Sequence, residues 1–150
     1  MVLATLSAIM SFYEGLEDRV SRLYEDVSRS GKCPEHIETI QAFSRESRRL
    51  KESVLRAYRE VITDAFEVGY SFTGLKEEEY WFETEITEDL SCPEVIRSAI
   101  AAEEKSRRFC IDAGESSKAF LADIPQALKR VAENKFKRIG ILRSMLEALA

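Results

Sequence analysis

Two segments of the sequence carry the same helical pattern, and this repeat constrains the fold more than any other feature. The first copy reads Glu17-x-x-Val20-x-x-Leu23-Tyr24, and the second reads Glu103-x-x-Ser106-x-x-Phe109-Cys110. Residues three and four positions apart share one face of an α-helix. Each copy is followed by another long amphipathic stretch, which predicts two helical hairpins, over residues 4–67 and 94–149. We therefore expect a duplicated, all-α architecture in a single domain spanning 1–150.

The helix boundaries are indicated by proline, glycine and capping residues. Pro34 suits an early helical position, where its missing N–H is not needed. Ser91-Cys92-Pro93-Glu94 has the spacing of a capping box, and Asp123 precedes Pro125 in a similar opening. These signals predict helices near 4–29, 34–67, 94–119 and 124–149.

The two hairpins are joined by a long connection, residues 68–93. A connection of this length can run the whole length of a bundle, so we expect the second and third helices to be parallel, in a bundle with one long crossover. The connection mixes acidic residues with five aromatic ones: Tyr70, Phe72, Tyr80, Trp81 and Phe82. We expect these rings to cover either the bundle or a second subunit, with a short packed crossover helix as the simpler form.

The composition excludes several classes of protein. Net charge is −5 with 33% charged residues of both signs, so no basic field attracts nucleic acid. No stretch approaches the ~18 uninterrupted apolar residues of a membrane-spanning helix, and residues 1–10 lack the basic start of a signal peptide. The odd number of cysteines argues against a disulfide scaffold and for a reducing compartment. We expect a cytoplasmic protein with no nucleic-acid or membrane partner.

The segment Ser98-Ala99-Ile100-Ala101-Ala102-Glu103-Glu104-Lys105-Ser106-Arg107-Arg108-Phe109-Cys110 resembles a motif of the rubrerythrin branch of the ferritin-like family. That motif is Ala-Ile-x-x-x-Glu-x-x-Ala-x-x-Phe-Tyr, and the first helix matches it more loosely through Glu17. With the helix order and the crossover length, the resemblance covers nearly the whole chain. It implies a ferritin-like four-helix bundle with a di-iron centre.

The family's metal site takes one Glu from each of helices one and three and a Glu-x-x-His from each of helices two and four. In this chain the resemblance carries over only at Glu17 and Glu103. The positions of the Glu-x-x-His motifs hold Ser47 and Leu50 in helix two, and Lys135 and Arg138 in helix four. A shift of register by one or two residues would bring Glu46 or Glu133 inward, but it would supply no histidine.

The two bases suggest what replaces the metals. Two carboxylates that face each other in a core are costly unless they are paired. Lys135 and Arg138 would neutralise Glu17 and Glu103, which predicts a vacant centre closed by ion pairs. Alternatively, both bases lie at the edge of the buried stripe and reach solvent through their long side chains.

The remaining candidates are the cysteines and the single histidine. Cys33 and Cys92 both begin helices at the same end of the bundle, where a helix N-terminus can make a thiol reactive. Because helices two and three should be diagonal, we expect the thiols to be too far apart for a bond, which needs Cα atoms within ~7 Å. Their reactivity stays open. Cys110 is expected to be a small buried residue, and His36 a solvated one.

Two functions of different class follow. The first is a non-catalytic ferritin-like domain with a degenerate di-iron site and no cofactor, acting as a homodimer or by binding another protein. The second is a di-iron or single-metal oxidoreductase that handles peroxide or oxygen, with iron or manganese held by Glu17 and Glu103; carboxylates alone suit Mn²⁺. The missing Glu-x-x-His motifs favour the first. An unrelated helical adaptor would instead have a short or flexible 70–91 segment.

Overall fold

The computed structural model describes residues 2, 3, 5–64, 74–117 and 123–149. In this part of the chain there are four long helices: α1 Leu6–Ser30, α2 Ile37–Asp64, α3 Cys92–Ser116 and α4 Asp123–Ala148. Two short strands, β1 Val2–Leu3 and β2 Leu75–Lys76, pair antiparallel. The prediction of an all-α chain with four helices is confirmed, and the helix ends lie within a few residues of the expected positions.

Local chemistry explains where the helices begin and end. The Thr5 hydroxyl accepts a hydrogen bond from the Ala8 amide at 3.1 Å, which caps the start of α1. Gly31 ends that helix with φ of 70°, a left-handed conformation that suits glycine. The predicted capping box is present, with Ser91 and Glu94 bonding each other's backbone amides. Pro34 begins a 3-10 turn instead of α2 itself, so α2 starts at Ile37.

Each helix packs against two others. The contacting pairs are α1 with α2, α3 with α4, α1 with α3, and α2 with α4. Residue pairs that show antiparallel neighbours are Asp18–Lys51 and Ser21–Ser44 for α1 with α2, Glu17–Ser106 and Phe12–Phe109 for α1 with α3, and Glu104–Arg143 and Gly114–Leu128 for α3 with α4. Buried apolar residues of all four helices form one hydrophobic core cluster between them.

Apolar residues recur along α2 at a spacing of three and four positions, and the stripe that they form is largely buried. Ile40, Phe43 and Val54 are at most 7% exposed, and Leu50 is half-buried. Ile37, which belongs to the same stripe by spacing, is 36% exposed because it lies in the first turn of α2, at the end of the bundle. The side chains of Val61 and Ala65, which continue this spacing in the sequence, lie outside the described residues.

The described part of the crossover packs onto its own bundle. Tyr80 is 2% exposed, donates a hydrogen bond from its hydroxyl to Asp112 at 2.7 Å, and meets the Phe109 ring edge-on at 5.1 Å. Phe82 is also buried. Between residues 74 and 91 the helical structure is a single 3-10 turn, Glu77–Glu79. A crossover helix longer than this turn is not present in that range.

Trp81 is the aromatic residue of this segment that faces outward. It is 46% exposed, and the Arg19 guanidinium lies 3.6 Å from its ring centre. Tyr70 and Phe72 lie outside the described residues.

The expectation that Cys33 and Cys92 are too distant to bond is wrong. They form a disulfide, with Cα atoms 5.3 Å apart. Both residues lie where chain connections converge over one end of the bundle, so the spacing of diagonal helix axes does not set their separation. Lys32 contributes to this approach by donating hydrogen bonds to the carbonyls of Glu88 and Leu90. The argument from cysteine count for a reducing compartment therefore loses its basis.

Cys110 is free and fully buried, as expected for a small apolar side chain. None of the helices in the described ranges combines the length and the apolar character needed to cross a bilayer.

Candidate functional site

All four helices contribute to a cluster of charged and polar side chains at the centre of the bundle. Glu17 comes from α1, Glu103 from α3, and Lys135 and Arg138 from α4. Each of these residues is at most 1% exposed. Lys135 and Arg138 are three positions apart, which places both on one face of α4. α2 contributes Ser47, which is fully buried.

Lys135 lies between the two repeated glutamates. Its Nζ is 2.6 Å from Glu17 Oε1 and 3.2 Å from Glu103 Oε1. Ser106 donates a further hydrogen bond to Glu17 Oε1 at 3.2 Å. Burial by itself would lower the pKa of Lys135, but the charges of Glu103 and Glu17 outweigh it and hold that pKa above its usual value. The lysine is therefore a cation in the folded protein.

Arg138 connects Glu103 to α2. Its Nη1 is 3.0 Å from Glu103 Oε2 and donates a hydrogen bond to Ser47 Oγ at 2.8 Å. Its Nη2 donates to Glu46 Oε1 at 2.6 Å, and the Glu46 side chain is 40% exposed. Against the cost of burial, the charge of Glu103 raises the pKa of Arg138 above its usual range.

The charges of the buried cluster balance. Two carboxylates, Glu17 and Glu103, meet two cations, Lys135 and Arg138, and the partly exposed Glu46 adds one negative charge at the edge. A balanced, hydrogen-bonded set is the condition under which charges survive in a low-dielectric interior.

Aromatic side chains lie around the charged cluster. The guanidinium of Arg138 lies 5.7 Å from the ring centre of Tyr24 and 5.1 Å from that of Phe43. Burial raises the pKa values of Tyr24 and of Tyr13, and the nearby carboxylates add to the effect. Within the described ranges, the hydroxyls of both tyrosines and Glu17 Oε2 are buried without a hydrogen-bond partner.

The structure brings together Glu17, Glu103, Lys135, Arg138 and Ser47, and leaves Leu50 out of the polar cluster. The alternative in which both bases reach solvent is wrong, because Lys135 and Arg138 are 0% and 1% exposed.

The other candidate residues from the sequence are Glu46, Glu133 and His36. Glu46 turns toward the cluster, whereas Glu133 is exposed on α4 and His36 is partly exposed in the 3-10 turn before α2. Sequence reasoning missed the roles of Ser106, Tyr13 and Tyr24. Tyr13 precedes Glu17 by four residues, so a search for polar groups on the same helix face would have found it.

The donor chemistry of this cluster does not fit a di-iron centre. Iron sites of this type need carboxylates and imidazoles converging on the metals, and here an ammonium group stands between the two carboxylates. A lysine ammonium has three donors and no lone pair to give to a metal. Among the described residues, no group of three or more His, Cys, Asp or Glu side chains is placed to hold a metal ion.

Comparisons with protein-family models, with curated proteins and with solved structures find no match for this chain. The resemblance to the ferritin-like family therefore stays a prediction from the sequence.

Proposed function

We propose that this chain is a non-catalytic, ferritin-like domain with a degenerate di-iron centre, and that it acts through its surface as a homodimer or by binding another protein. The observation that carries the proposal is the position of Lys135 Nζ, within 2.6 Å and 3.2 Å of the two glutamates that match the family's metal ligands. In this interpretation, the lysine and Arg138 supply the positive charge that two irons would supply in a working relative.

The helix arrangement supports the ferritin-like part of the proposal. α1 is antiparallel to both α2 and α3, and α2 shares no major interface with α3. We infer from this that α2 and α3 are parallel and diagonal, and that residues 68–93 form the single long crossover. The equivalent placement of Glu17 and Glu103, one on each of α1 and α3, fits an origin by duplication.

The substituted ligand positions support the non-catalytic part. Ser47 is occupied in accepting a hydrogen bond from Arg138, and Leu50 is an apolar side chain packed against the core. Neither residue can act as the acid, base or metal ligand that the oxidoreductase hypothesis requires at these positions.

Metal analysis tests this proposal directly. Protein produced with iron and manganese in the medium and purified without chelators should contain far less than one metal ion per chain. Stoichiometric iron or manganese that is lost in a variant with both Glu17→Gln and Glu103→Gln would overturn the proposal and favour the oxidoreductase.

A gain-of-function variant gives a second, independent readout. Replacing Ser47→Glu, Leu50→His, Lys135→Glu and Arg138→His restores the family's ligand set, and this variant should bind iron, with a ligand-to-metal absorption that the parent protein lacks. A matched control carries only Ser47→Glu and Leu50→His, keeps Lys135 and Arg138, and should bind none. A folded four-site variant that binds no iron would argue against the ferritin-like alignment.

A further inference from the structure

One stripe of exposed residues runs along the outer face of α4. Its members recur at alternating intervals of four and three positions, which keeps them on one face of the helix. They are Lys129, Glu133, Phe136, Gly140, Arg143 and Glu147, and together they form the α4 stripe. Phe136 is 61% exposed, the highest value among the large apolar side chains in the described ranges. Aromatic side chains of this kind are enriched where proteins contact each other.

Gly140 has no evident role inside its own chain. A methyl group on its Cα would meet no atom within 4 Å in the described part of the chain, outside its own helical turn. Its φ is negative, so the backbone does not require glycine either. Glycine weakens a helix interior relative to alanine, but it lets another chain approach the backbone closely. The position is therefore open to a contact from outside.

The α4 stripe is complementary to itself when it is read in the reverse direction. Two copies of α4 can lie antiparallel about a twofold axis that passes midway between Phe136 and Gly140. The facing pairs are then Phe136 with Gly140, Glu133 with Arg143, and Lys129 with Glu147. Each pair forms twice, because in a twofold interface the same patch serves both copies.

The charges select the antiparallel direction. Both charged pairs join opposite signs in that arrangement, whereas a parallel, in-register pair of helices would set each charge against its own equivalent. In the described part of the chain, Lys129, Glu133 and Glu147 form no ion pair, and Arg143 pairs with Glu104 at an exposed position. The charges of the stripe are therefore available to a second copy.

We propose that the α4 stripe docks on the α4 stripe of a second copy of this chain, antiparallel across a twofold axis, with the Phe136 ring over Gly140 of that copy. The ring would gain an apolar cover, and the two charged pairs on either side would fix the register. This inference rests on the surface role in the proposed function and not on the degenerate metal centre.

The contact is separate from any that the crossover makes. Lys129, Glu133 and Phe136 line a groove that α4 shares with α3, whereas Trp81 lies against Phe12 and Arg19 of α1. Two helices that meet along one stripe cover less area than the roughly 1,200–2,000 Å² of a stable interface. We therefore expect a weak association, which is measured at higher concentration than a contact through Trp81.

Sedimentation equilibrium of Trp81→Ala, at concentrations up to about 0.5 mM, tests the α4 contact alone. We expect reversible pairing of this variant. Adding Lys129→Glu sets a carboxylate against Glu147 of the second copy and should weaken the pairing about fivefold. Adding Glu147→Lys as well restores opposite charges and should restore the pairing.

A further variant separates loss of the contact from loss of the fold. Gly140→Gln fills the space that the Phe136 ring of the second copy would occupy, so it should weaken the pairing about tenfold or more. The same change should leave the chain at least as stable to urea, because glutamine favours a helix more than glycine does.

Arg130→Glu is the matched control, since it makes the same change of charge at an exposed cation of α4 outside the stripe. The α4 contact is ruled out if Trp81→Ala stays monomeric, if Glu147→Lys does not rescue Lys129→Glu, or if Arg130→Glu weakens the pairing as much as Lys129→Glu. A parent dimer at micromolar concentration would still support the proposed homodimer in each of these cases, so the two proposals fail separately.

Discussion

Lys135 carries an ammonium group into the centre of the bundle, and its effect on stability depends on the two carboxylates it touches. A buried ion pair contributes little compared with apolar residues of the same volume, but removing one partner leaves an uncompensated charge. Glu17 and Glu103 are both fully buried, so neither can turn to water if the lysine is lost.

The first prediction follows from this asymmetry. Lys135→Met should lower the free energy of unfolding by about 3–5 kcal/mol, because Glu17 would lose its cation in a dry interior. Lys51→Met is the matched control, since Lys51 pairs with Asp18 near the surface, and should cost less than about 1 kcal/mol. Urea denaturation measures both. Equal and small losses of unfolding free energy in the two variants would contradict the prediction that the buried carboxylates depend on Lys135.

The second prediction concerns alkaline pH. The pKa values of Lys135, Tyr13 and Tyr24 are all raised in the folded state, so the folded protein retains protons that the unfolded chain releases. Their contribution to stability is therefore complete below the unfolded pKa values and is lost as pH rises above about 10. The urea midpoint of the parent protein should fall as pH rises from 8 to 11, and the midpoint of Lys135→Met should fall less steeply over the same range. A midpoint independent of pH over this range contradicts the prediction.

At the scale of single residues, the sequence predicts which charged side chains belong to the central cluster but not which hydrogen bonds they form. The repeat singles out Glu17 and Glu103, and the resemblance to the rubrerythrin motif is what places Lys135 and Arg138 at the facing ligand positions on α4. Spacing within one helix cannot tell which hydroxyl of another helix reaches them, which is why the sequence does not predict the hydrogen bond from Ser106 to Glu17.

At the level of elements, the helices were predictable and their connections were not. Capping residues and apolar periodicity act within one helix, so Ser91 and Glu94 identify the start of α3 from sequence alone. The path of residues 31–36 depends on what they meet at the end of the bundle, including the carbonyls that Lys32 reaches. The misjudged separation of Cys33 and Cys92 has this origin.

The third prediction is that the Cys33–Cys92 disulfide contributes to stability. It links residues that are 59 positions apart, and closing a loop of this size restricts the unfolded chain by about 4 kcal/mol in the entropic account. Reductant or Cys92→Ser should therefore lower the free energy of unfolding by about 2–4 kcal/mol.

Cys110→Ala, which leaves the disulfide intact, should keep the full sensitivity to reductant. Thiol titration of the denatured, unreduced protein should find one free thiol per chain. Three free thiols in protein kept under air would show that the bond does not form.

For the whole molecule, the fourth prediction is a homodimer. The aromatic composition of the crossover suggests it, but Tyr80 and Phe82 are buried against their own bundle, so the surface that remains for a partner includes Trp81. Light scattering at micromolar concentration should give twice the 17.1-kDa mass of the chain. Trp81→Ala should weaken the association, and Ile37→Ala, which shortens an exposed apolar side chain on α2, is the control. A monomer mass for the parent protein removes this prediction.

The side chain of Arg138 has a consequence for how the molecule opens. It starts on α4, pairs with Glu103 on α3, bonds Ser47 on α2 and stacks over Tyr24 on α1. If the two hairpins separated without unfolding, this guanidinium would stay with Glu103 and lose Ser47 and Tyr24, its partners on the α1–α2 hairpin. Partial opening is therefore penalised, and the slowest-exchanging amides of all four helices should share one opening free energy, equal to that of global unfolding. Hydrogen exchange under native conditions measures this, and distinct free energies for the α1–α2 and α3–α4 amides would show two separable units.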